Sequence, residues 1–257
     1  MEFLSVSKEN NAAFIKMERP PANALSTAVI RELDWQLEEL ENDKDVRAIL
    51  LFGEGRFFSA GADIKEFTEV PSGEAFSELA ADGQRVFEKI ESFPKPVIAA
   101  IHGAALGGGL ELAMACHIRL VSDNAKLGLP ELQLGLIPGF AGTQRLPRYV
   151  GAAKAAEMLF TSKPLTGKEA VQWGLANQSY PEEDLLNEAK EMVLSIAKKS
   201  PASLKAAIEL LQYGKDGRFY EGVKLEAKKF GEVFTTKDGQ EGIRAFIEKR
   251  EPNFSGE

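Results

Sequence analysis

The chain has 257 residues and a formal net charge of −8, with an isoelectric point near 5.1. This acidic balance disfavours a broad nucleic-acid-binding surface, because such surfaces depend on clustered lysine and arginine. The single cysteine, Cys116, excludes an intramolecular disulfide and disfavours a cysteine-rich metal site.

The N-terminal segment MEFLSVSKENN has neither the basic nor the apolar region of a signal peptide. No uninterrupted apolar run reaches the length that a transmembrane helix requires. We therefore expect a cytoplasmic protein that has neither a membrane nor a nucleic acid as a partner.

The first half of the chain predicts strands that alternate with helices. Strands are predicted at residues 3–7, 12–17, 46–52, 97–101, 118–121 and 125–127. Between them, the sequence predicts a helix capped by Ser26, a helix over residues 72–93, and a glycine-opened helix that runs to about Cys116. Strands separated by helices favour parallel pairing, so the predicted fold class is α/β.

The second half of the chain is predicted to be almost wholly helical. Helices are predicted at residues 151–160, 166–173, 182–199, 201–213, 217–234 and 238–249. Lys249 and Arg250 end the last of these helices, where a favourable contact with the helix dipole is the simplest interpretation.

Four glycines follow the predicted strand at 97–101, namely Gly103, Gly107, Gly108 and Gly109. A strand that passes through glycines into a helix presents backbone N–H groups at the helix start. A dinucleotide site would require G-x-G-x-x-G, but Leu112 occupies the position of the third glycine. Two interpretations remain open, namely close helix–strand packing and an oxyanion site made of backbone N–H groups.

A second loop of small residues, Ser59–Asp63, follows the predicted strand at 46–52. Small residues allow a ligand to approach the backbone closely. Together the two loops suggest one N–H donor each for a shared carbonyl oxygen. Asp63 is interpreted as a cap of this turn rather than as a catalytic group.

Two carboxylates stand among apolar residues. Glu111 comes two residues after the glycines, and Glu131 follows Pro130. Glu111 is either a solvated helix residue or part of a site, and Glu131 is either a turn residue or part of the same site. If both line one dry pocket, desolvation and mutual repulsion raise the pKa of at least one of them, which suits acid–base chemistry near neutral pH.

The remaining candidates for chemistry have structural interpretations. His102 and His117 are the only histidines, and with one cysteine they form neither a metal set nor a Ser–His triad. No metal site is therefore predicted. His102 is interpreted as structural, and Cys116 as a small core residue.

Taken together, these segments resemble the enoyl-CoA hydratase/isomerase (crotonase) family. The resemblance rests on residues 23–25 (NAL), 58–67 (FSAGADIKEF), 95–119 (KPVIAAIHGAALGGGLELAMACHIR), 127–151 (LGLPELQLGLIPGFAGTQRLPRYVG) and 246–254 (FIEKREPNF). It implies a crotonase-like spiral of ββα turns with a helical C-terminal region. Residues 1–195 would form the core with the acyl-CoA site, and residues 196–257 a trimerisation region within a homotrimer or homohexamer.

The resemblance also implies roles for individual residues. The N–H groups of Ala62 and Gly108 would form the oxyanion hole. Glu111 would activate the water that attacks C3, and Glu131 would deliver a proton to C2. Further contacts with substrate or CoA are implied for Ala60, Asp63, Ile64, Lys65, Gly139, Phe246 and Lys249. Of these, Gly139 would help to define the water site, Phe246 would line the acyl pocket, and Lys249 would contact a CoA phosphate, either in its own subunit or in a neighbouring one.

The implied activity is the reversible syn addition of water to trans-2-enoyl-CoA, giving 3-hydroxyacyl-CoA, with fatty-acid β-oxidation as the setting. No cofactor is implied, since coenzyme A is part of the substrate. Two glutamates favour this hydro-lyase over a Δ3,Δ2-enoyl-CoA isomerase, for which one carboxylate can suffice. A non-catalytic acyl-CoA-binding subunit is the other alternative. Phe140 and Ala141 replace the smaller residues of many hydratases, which concerns acyl preference more than the reaction.

Overall fold

The computed structural model describes residues 1–257 and contains nine strands in two sheets. The strands are β1 (Leu4–Glu9), β2 (Ala12–Met17), β3 (Ala48–Gly53), β4 (Val97–Ile101), β5 (Ala104–Leu106), β6 (Ile118–Ser122), β7 (Lys126–Gly128), β8 (Leu165–Thr166) and β9 (Gln178–Tyr180). The helices of the N-terminal half are α1 (Thr27–Asn42), α2 (Ile64–Phe67), α3 (Gly73–Glu91) and α4 (Gly108–Ala115), followed by a 3₁₀ helix (Glu131–Leu134). The remaining helices are α5 (Gly142–Val150), α6 (Ala152–Thr161), α7 (Gly167–Gln172), α8 (Glu182–Ala197), α9 (Pro201–Lys215), α10 (Phe219–Phe234) and α11 (Lys237–Glu248).

The larger sheet has the strand order β1-β2-β3-β4-β6-β9. β1 and β2 form an antiparallel hairpin, and every other neighbouring pair in this sheet is parallel. The predicted α/β class is therefore confirmed.

Both faces of this sheet are covered, which explains why β3 and β4 are continuously apolar. Ile49 and Leu51 of β3 belong to the large core on the side of α1 and α3. Their neighbour Leu50 points to the opposite face and joins a smaller core with Leu185 and Val193 of α8.

The smaller sheet has the order β5-β7-β8 and lies where the chain turns from β4 towards α4. Two isolated bridges connect the loop after β3 to its surroundings. Ser59 pairs with Ala105 of β5, and Ala62 pairs with Leu25. These bridges fix the loop over residues 59–63 beside the start of α4.

The predicted helices agree with the structure to within about two residues at most ends, and Ser26 and Ser72 cap α1 and α3 through their side chains. α5 was not predicted. It begins after Ala141 without a side-chain cap and contains Pro147, so its local sequence resembles a turn rather than a helix. The short elements α2, β5, β8 and β9 were not predicted either, because two to four residues carry little periodicity.

The C-terminal helices present large apolar side chains at the surface. These include Phe219, Tyr220, Phe230, Phe234, Phe246 and Ile247. The predicted trimerisation through residues 196–257 stays a prediction. No helix combines the length and the apolar character needed to cross a membrane.

Candidate active site

A cavity of about 480 Å³ opens between the loop after β3, α3, the start of α4 and the segment that leads to α5. Half of its 22 lining residues are hydrophobic. The structure brings seven of the predicted site residues to its wall, namely Ala60, Ala62, Ile64, Gly108, Glu111, Glu131 and Gly139. An apolar cavity with a few convergent polar groups is the usual form of a small-molecule site.

The N–H groups of Ala62 and Gly108 have no hydrogen-bond acceptor within the chain. The residues on either side of Ala62 bond to Leu25, since Leu25 N–H donates to Gly61 and Asp63 N–H donates to Leu25, at 2.8 and 3.1 Å. A methyl group placed on Gly108 would lie only 3.4 Å from the Ala62 nitrogen. The cavity wall therefore contains two neighbouring unpaired donors.

Gly107 is required at the turn that precedes these donors. Its φ of +52° is in the left-handed region, and a Cβ there would lie 3.0 Å from Oε1 of Glu131. A side chain at Gly107 would thus strain the backbone and also displace the carboxylate opposite it.

Asp63 faces away from the cavity and holds the loop instead. Its side chain accepts the N–H of Lys65 at the start of α2 and pairs with Arg19, with 2.5 Å between Oδ2 and Nη2. The hydrogen bond from Arg19 lowers the pKa of Asp63. The prediction that Asp63 caps this turn is confirmed, while contacts of Asp63 and Lys65 with CoA stay predictions.

Glu111 is buried, with 1% of its surface exposed, so the interpretation as a solvated surface residue is wrong. Its Oε1 accepts hydrogen bonds from the N–H groups of Phe140 and Gly142, at 2.8 and 2.7 Å. Burial raises the pKa of Glu111 to about 7, and the charge of Glu131 acts in the same direction. The two N–H donors and the charge of Arg145 oppose this rise. The result is a carboxyl group that titrates near neutral pH.

Glu131 is half-buried at the first position of the 3₁₀ helix, and its side chain lines the cavity. Its Oε2 is buried and has no hydrogen-bond partner. Burial raises the pKa of Glu131. The two carboxyl groups of the cavity therefore differ in their hydrogen bonding. Glu111 is fixed by two backbone donors, whereas Glu131 has one oxygen without a partner.

Phe140 closes the cavity beside Glu111. Its ring lies against Gly83 of α3, where an added Cβ would be 2.3 Å away, and meets the ring of Phe87 edge-on at 5.2 Å. It also lies 3.1 Å from the position of a Cβ on Gly108. The bulk of Phe140 is accommodated because glycines stand opposite it on two elements.

Several residues of the site were not identified from the sequence. Gly142 holds Glu111, and Gln84 donates to the carbonyl of Gly139 at 2.8 Å. Phe76 and Ile137 line the cavity. Had the sequence predicted a helix that starts at Gly142, the free N–H groups at its start would have indicated a binding position for a carboxylate. The helix was not predicted, because it lacks a capping side chain and contains Pro147.

Besides Asp63 and Lys65, two further predicted residues do not line the cavity of their own chain. Phe246 is 85% exposed on α11, and Lys249 ends that helix in a left-handed conformation with φ +56°. Their predicted contacts with substrate or CoA stay predictions.

The histidines and the cysteine have structural positions. His102 Nε2 lies 3.0 Å from the carbonyl oxygen of Gly55, and His117 Nδ1 accepts the N–H of Val97 at 3.0 Å. Burial lowers the pKa of His117 to about 4, so the ring is neutral at neutral pH. Cys116 is buried, and burial raises the pKa of its thiol to about 12. The predicted structural role of His102 and the core position of Cys116 are confirmed.

Two cavity-lining carboxyl groups with raised pKa values and a pair of unpaired backbone donors are the groups that acid–base chemistry beside a carbonyl group requires. Comparison with known proteins identifies the family of the protein. A family model described as enoyl-CoA hydratase/isomerase matches residues 7–257. The chain belongs to this family.

Individual relatives agree with this assignment. A probable enoyl-CoA hydratase of Bacillus subtilis is 54% identical over 258 residues, with 100% of both chains covered. The short-chain-enoyl-CoA hydratase of Clostridium acetobutylicum is 41% identical and covers 95% of this chain and 94% of its own. The crystal structure of an enoyl-CoA hydratase from Bacillus anthracis matches with a TM-score of 0.95 at 36% identity, with 100% of both chains covered.

The family and the crotonase-like ββα spiral with a helical C-terminal region were both predicted, and both are confirmed. The prediction of a hydro-lyase enzyme is confirmed with them.

Proposed function

We propose that this enzyme catalyses the reversible syn addition of water to a trans-2-enoyl-CoA, giving a 3-hydroxyacyl-CoA. The observation that carries the proposal is the presence of Glu111 and Glu131 on the wall of one cavity, beside the unpaired N–H groups of Ala62 and Gly108. The names of the relatives in Bacillus subtilis and Clostridium acetobutylicum support a hydratase.

The thioester carbonyl oxygen is placed between the two N–H groups. Attack at C3 moves negative charge onto this oxygen, so the donors bind the transition state more tightly than the substrate. Gly108 is also the first residue of α4, where the helix dipole favours negative charge. Loss of one such donor costs about 3–4 kcal/mol in barrier height.

The two carboxyl groups divide the handling of water. Ionised Glu111 takes a proton from the water that attacks C3, and protonated Glu131 delivers a proton to C2. Both groups line the same cavity, which supports addition from one side of the double bond. The unpaired Oε2 of Glu131 is a suitable position for the transferred proton or the reacting water. In dehydration the roles exchange.

The apolar wall receives the acyl chain, and Ala60, Ile64 and Lys65 border the thioester and CoA. Phe246 and Lys249 are assigned to the site of a neighbouring copy, since both are exposed at the end of α11. The proposal therefore includes a homotrimer or homohexamer. It includes no cofactor beyond the CoA of the substrate, and fatty-acid β-oxidation is the setting that would supply trans-2-enoyl-CoA.

The direct test is incubation with crotonyl-CoA while the absorbance of the conjugated enoyl thioester is recorded. We expect the absorbance to fall as 3-hydroxybutyryl-CoA forms. Glu111→Gln and Glu131→Gln should each reduce turnover by at least 100-fold and leave CoA-ester binding largely intact. Glu183→Gln, on the exposed face of α8, is the matched control and should behave as the wild type.

Unchanged absorbance across short- and medium-chain enoyl-CoA esters would contradict the proposal. A Δ3,Δ2-enoyl-CoA isomerase would instead convert 3-enoyl-CoA to the 2-enoyl product without hydration and would retain that activity in one of the two glutamine variants. Binding of acyl-CoA without turnover of any enoyl ester would indicate a non-catalytic subunit.

A further inference from the structure

A buried ion pair lies directly behind the carboxylate of Glu111. Arg145 of α5 and Glu91 at the end of α3 are joined by a bond of 2.9 Å between Nε and Oε2, with side chains only 6% and 12% exposed. Both residues lie outside the cavity wall. A buried ion pair is weak evidence for stability, because desolvation of the charges offsets their attraction. Its position suggests another role.

Arg145 connects this pair to the site through the backbone of one residue, Phe140. Its Nη1 donates to the carbonyl oxygen of Phe140 at 2.9 Å, and the N–H of the same Phe140 donates to Oε1 of Glu111 at 2.8 Å. The backbone N–H of Arg145 also bonds to the carbonyl of Ala141, within the turn that presents Gly142 to Glu111. Both N–H donors to Glu111 thus belong to a segment, residues 140–142, in which the carbonyl groups of Phe140 and Ala141 accept hydrogen bonds from Arg145.

Glu91 in turn fixes Arg145 to a distant helix. Lys215 of α9 lies 3.2 Å from Oε1 of Glu91, and Gln212 of the same helix donates to the Glu91 carbonyl at 2.5 Å. Arg148 approaches Glu91 more loosely, at 3.7 Å, and is 45% exposed. The side chain of Arg145 is therefore held on both sides, by Glu91 and by Phe140.

From this chain of contacts we infer that Arg145 is a positioning residue for hydration, which sets the geometry and charge state of Glu111 through the backbone of Phe140 while touching neither substrate nor the reacting water. The inference rests on the proposed function for its kinetic consequences. On this view the buried pair of Arg145 and Glu91 serves to position Glu111 rather than to stabilise the fold.

The charges around Glu111 give the sign of the effect. Glu131 raises the pKa of Glu111, whereas Arg145 lowers it. Glu91, Lys215, Arg148 and Cys116 are the further titratable or charged groups that surround Arg145. Loss of the Arg145 charge raises the pKa of Glu111, so ionised base is available only at higher pH. Loss of the Glu91 charge acts in the opposite direction, because the field of Arg145 is then less compensated.

The test compares the pH profiles of kcat for Arg145→Gln, Arg145→Lys, Glu91→Gln and Arg148→Gln. We expect Arg145→Gln to lose at least 10-fold in kcat, with KM nearly unchanged, and to shift the ascending limb to higher pH. Arg145→Lys should restore part of the loss, because the charge is kept. Glu91→Gln should move the limb to lower pH, and the control Arg148→Gln should match the wild type.

Three results would overturn the inference. These are a wild-type pH profile in Arg145→Gln, a shift of Arg145→Gln and Glu91→Gln in the same direction, and an equal effect of Arg148→Gln. If Arg145→Gln does not fold, Arg145→Lys and Glu91→Gln still decide between these results. Titration of Glu111 by ¹³C NMR in ligand-free protein tests the role of Arg145 separately from the proposed hydratase activity. The change in the pKa of Glu111 between the wild type and the Arg145 variants can be measured even if the wild type hydrates no enoyl-CoA.

Discussion

The N–H of Gly142 donates a hydrogen bond of 2.7 Å to Oε1 of Glu111, so the first turn of α5 is attached directly to a carboxylate of the cavity. The attachment depends on glycine. A Cβ at position 142 would lie 2.8 Å from that oxygen and 3.0 Å from Cδ1 of Leu129. The position of the Glu111 carboxylate therefore requires a glycine at the first residue of α5.

Replacement of Gly142 by alanine tests this fit. We expect Gly142→Ala to push the Glu111 carboxylate from its position and to lower kcat by 10- to 100-fold, measured by hydration of crotonyl-CoA. Gly231→Ala in α10 is the control, since nothing lies within 4 Å of a Cβ there. Its activity should be unchanged. Equal activity of both variants would mean that Glu111 does not need this placement.

The raised pKa of Glu111 has a consequence for stability. The folded protein holds this carboxyl at a pKa of about 7, against an ordinary 4.5, so its ionisation opposes folding increasingly as the pH rises from 4.5 to 7. The difference corresponds to roughly 3 kcal/mol at and above pH 7.

Glu111→Gln removes the ionisation. We expect the variant to be more stable than the wild type at pH 8 and to lose this advantage below about pH 4.5, as followed by Tm across the pH range. Its amide oxygen can still accept the N–H bonds of Phe140 and Gly142. A wild-type Tm that stays above that of the variant at pH 8 would contradict the assigned direction of the pKa.

The ion pair of Arg19 with Asp63 is expected to hold the Ala62 donor in place. Arg19 also donates to the carbonyl of Ala24, at 3.1 Å, and so ties the loop to the segment before α1. We expect Arg19→Gln to reduce kcat about 10-fold, because a looser Ala62 N–H stabilises the developing oxyanion less.

The control for this prediction is Lys16→Gln, which removes partly exposed ion pairs with Glu18 and with Glu54 near the C-terminal end of β2. Crotonyl-CoA hydration should be unaffected in that variant. A loss of activity shared by both variants would indicate a general effect of charge rather than of loop position.

Phe140 is expected to limit the acyl groups that the cavity accepts. Phe140→Leu keeps the N–H that holds Glu111 but opens space between Gly83 and Gly108. We expect kcat/KM for branched or longer enoyl-CoA esters, relative to crotonyl-CoA, to rise several-fold, at a loss of roughly 1–3 kcal/mol in stability. Phe160→Leu, 77% exposed on α6, should leave the ratio unchanged. A ratio that falls in Phe140→Leu would exclude Phe140 as the limiting wall.

Much of the fold was accessible from the sequence, because its long elements carry strong signals. The apolar runs of β3 and β4, the cap Ser26, and the glycines before α4 were all recognised from local rules that tertiary structure did not override. The α/β class followed from the alternation of these elements.

The supporting contacts of the site could not be predicted in the same way. Glu111 and Gly142 are 31 positions apart, and Arg145 meets Glu91 across 54 positions. No periodicity encodes such pairs, since they exist only after the spiral has formed. The burial of Glu111, which determines its pKa, was left open for the same reason.

The unequal support of the two glutamates also bears on how this fold can diverge. Glu111 is built into the core by two backbone donors, whereas Glu131 projects from a four-residue 3₁₀ helix with exposed neighbours and leaves one oxygen unpaired. Replacement at position 131 therefore breaks few contacts on which folding depends, while replacement at position 111 by a side chain that cannot accept these N–H bonds disturbs the start of α5. New reactions can thus arise on this scaffold through changes at the second carboxylate, with the first carboxylate and the paired N–H donors inherited intact.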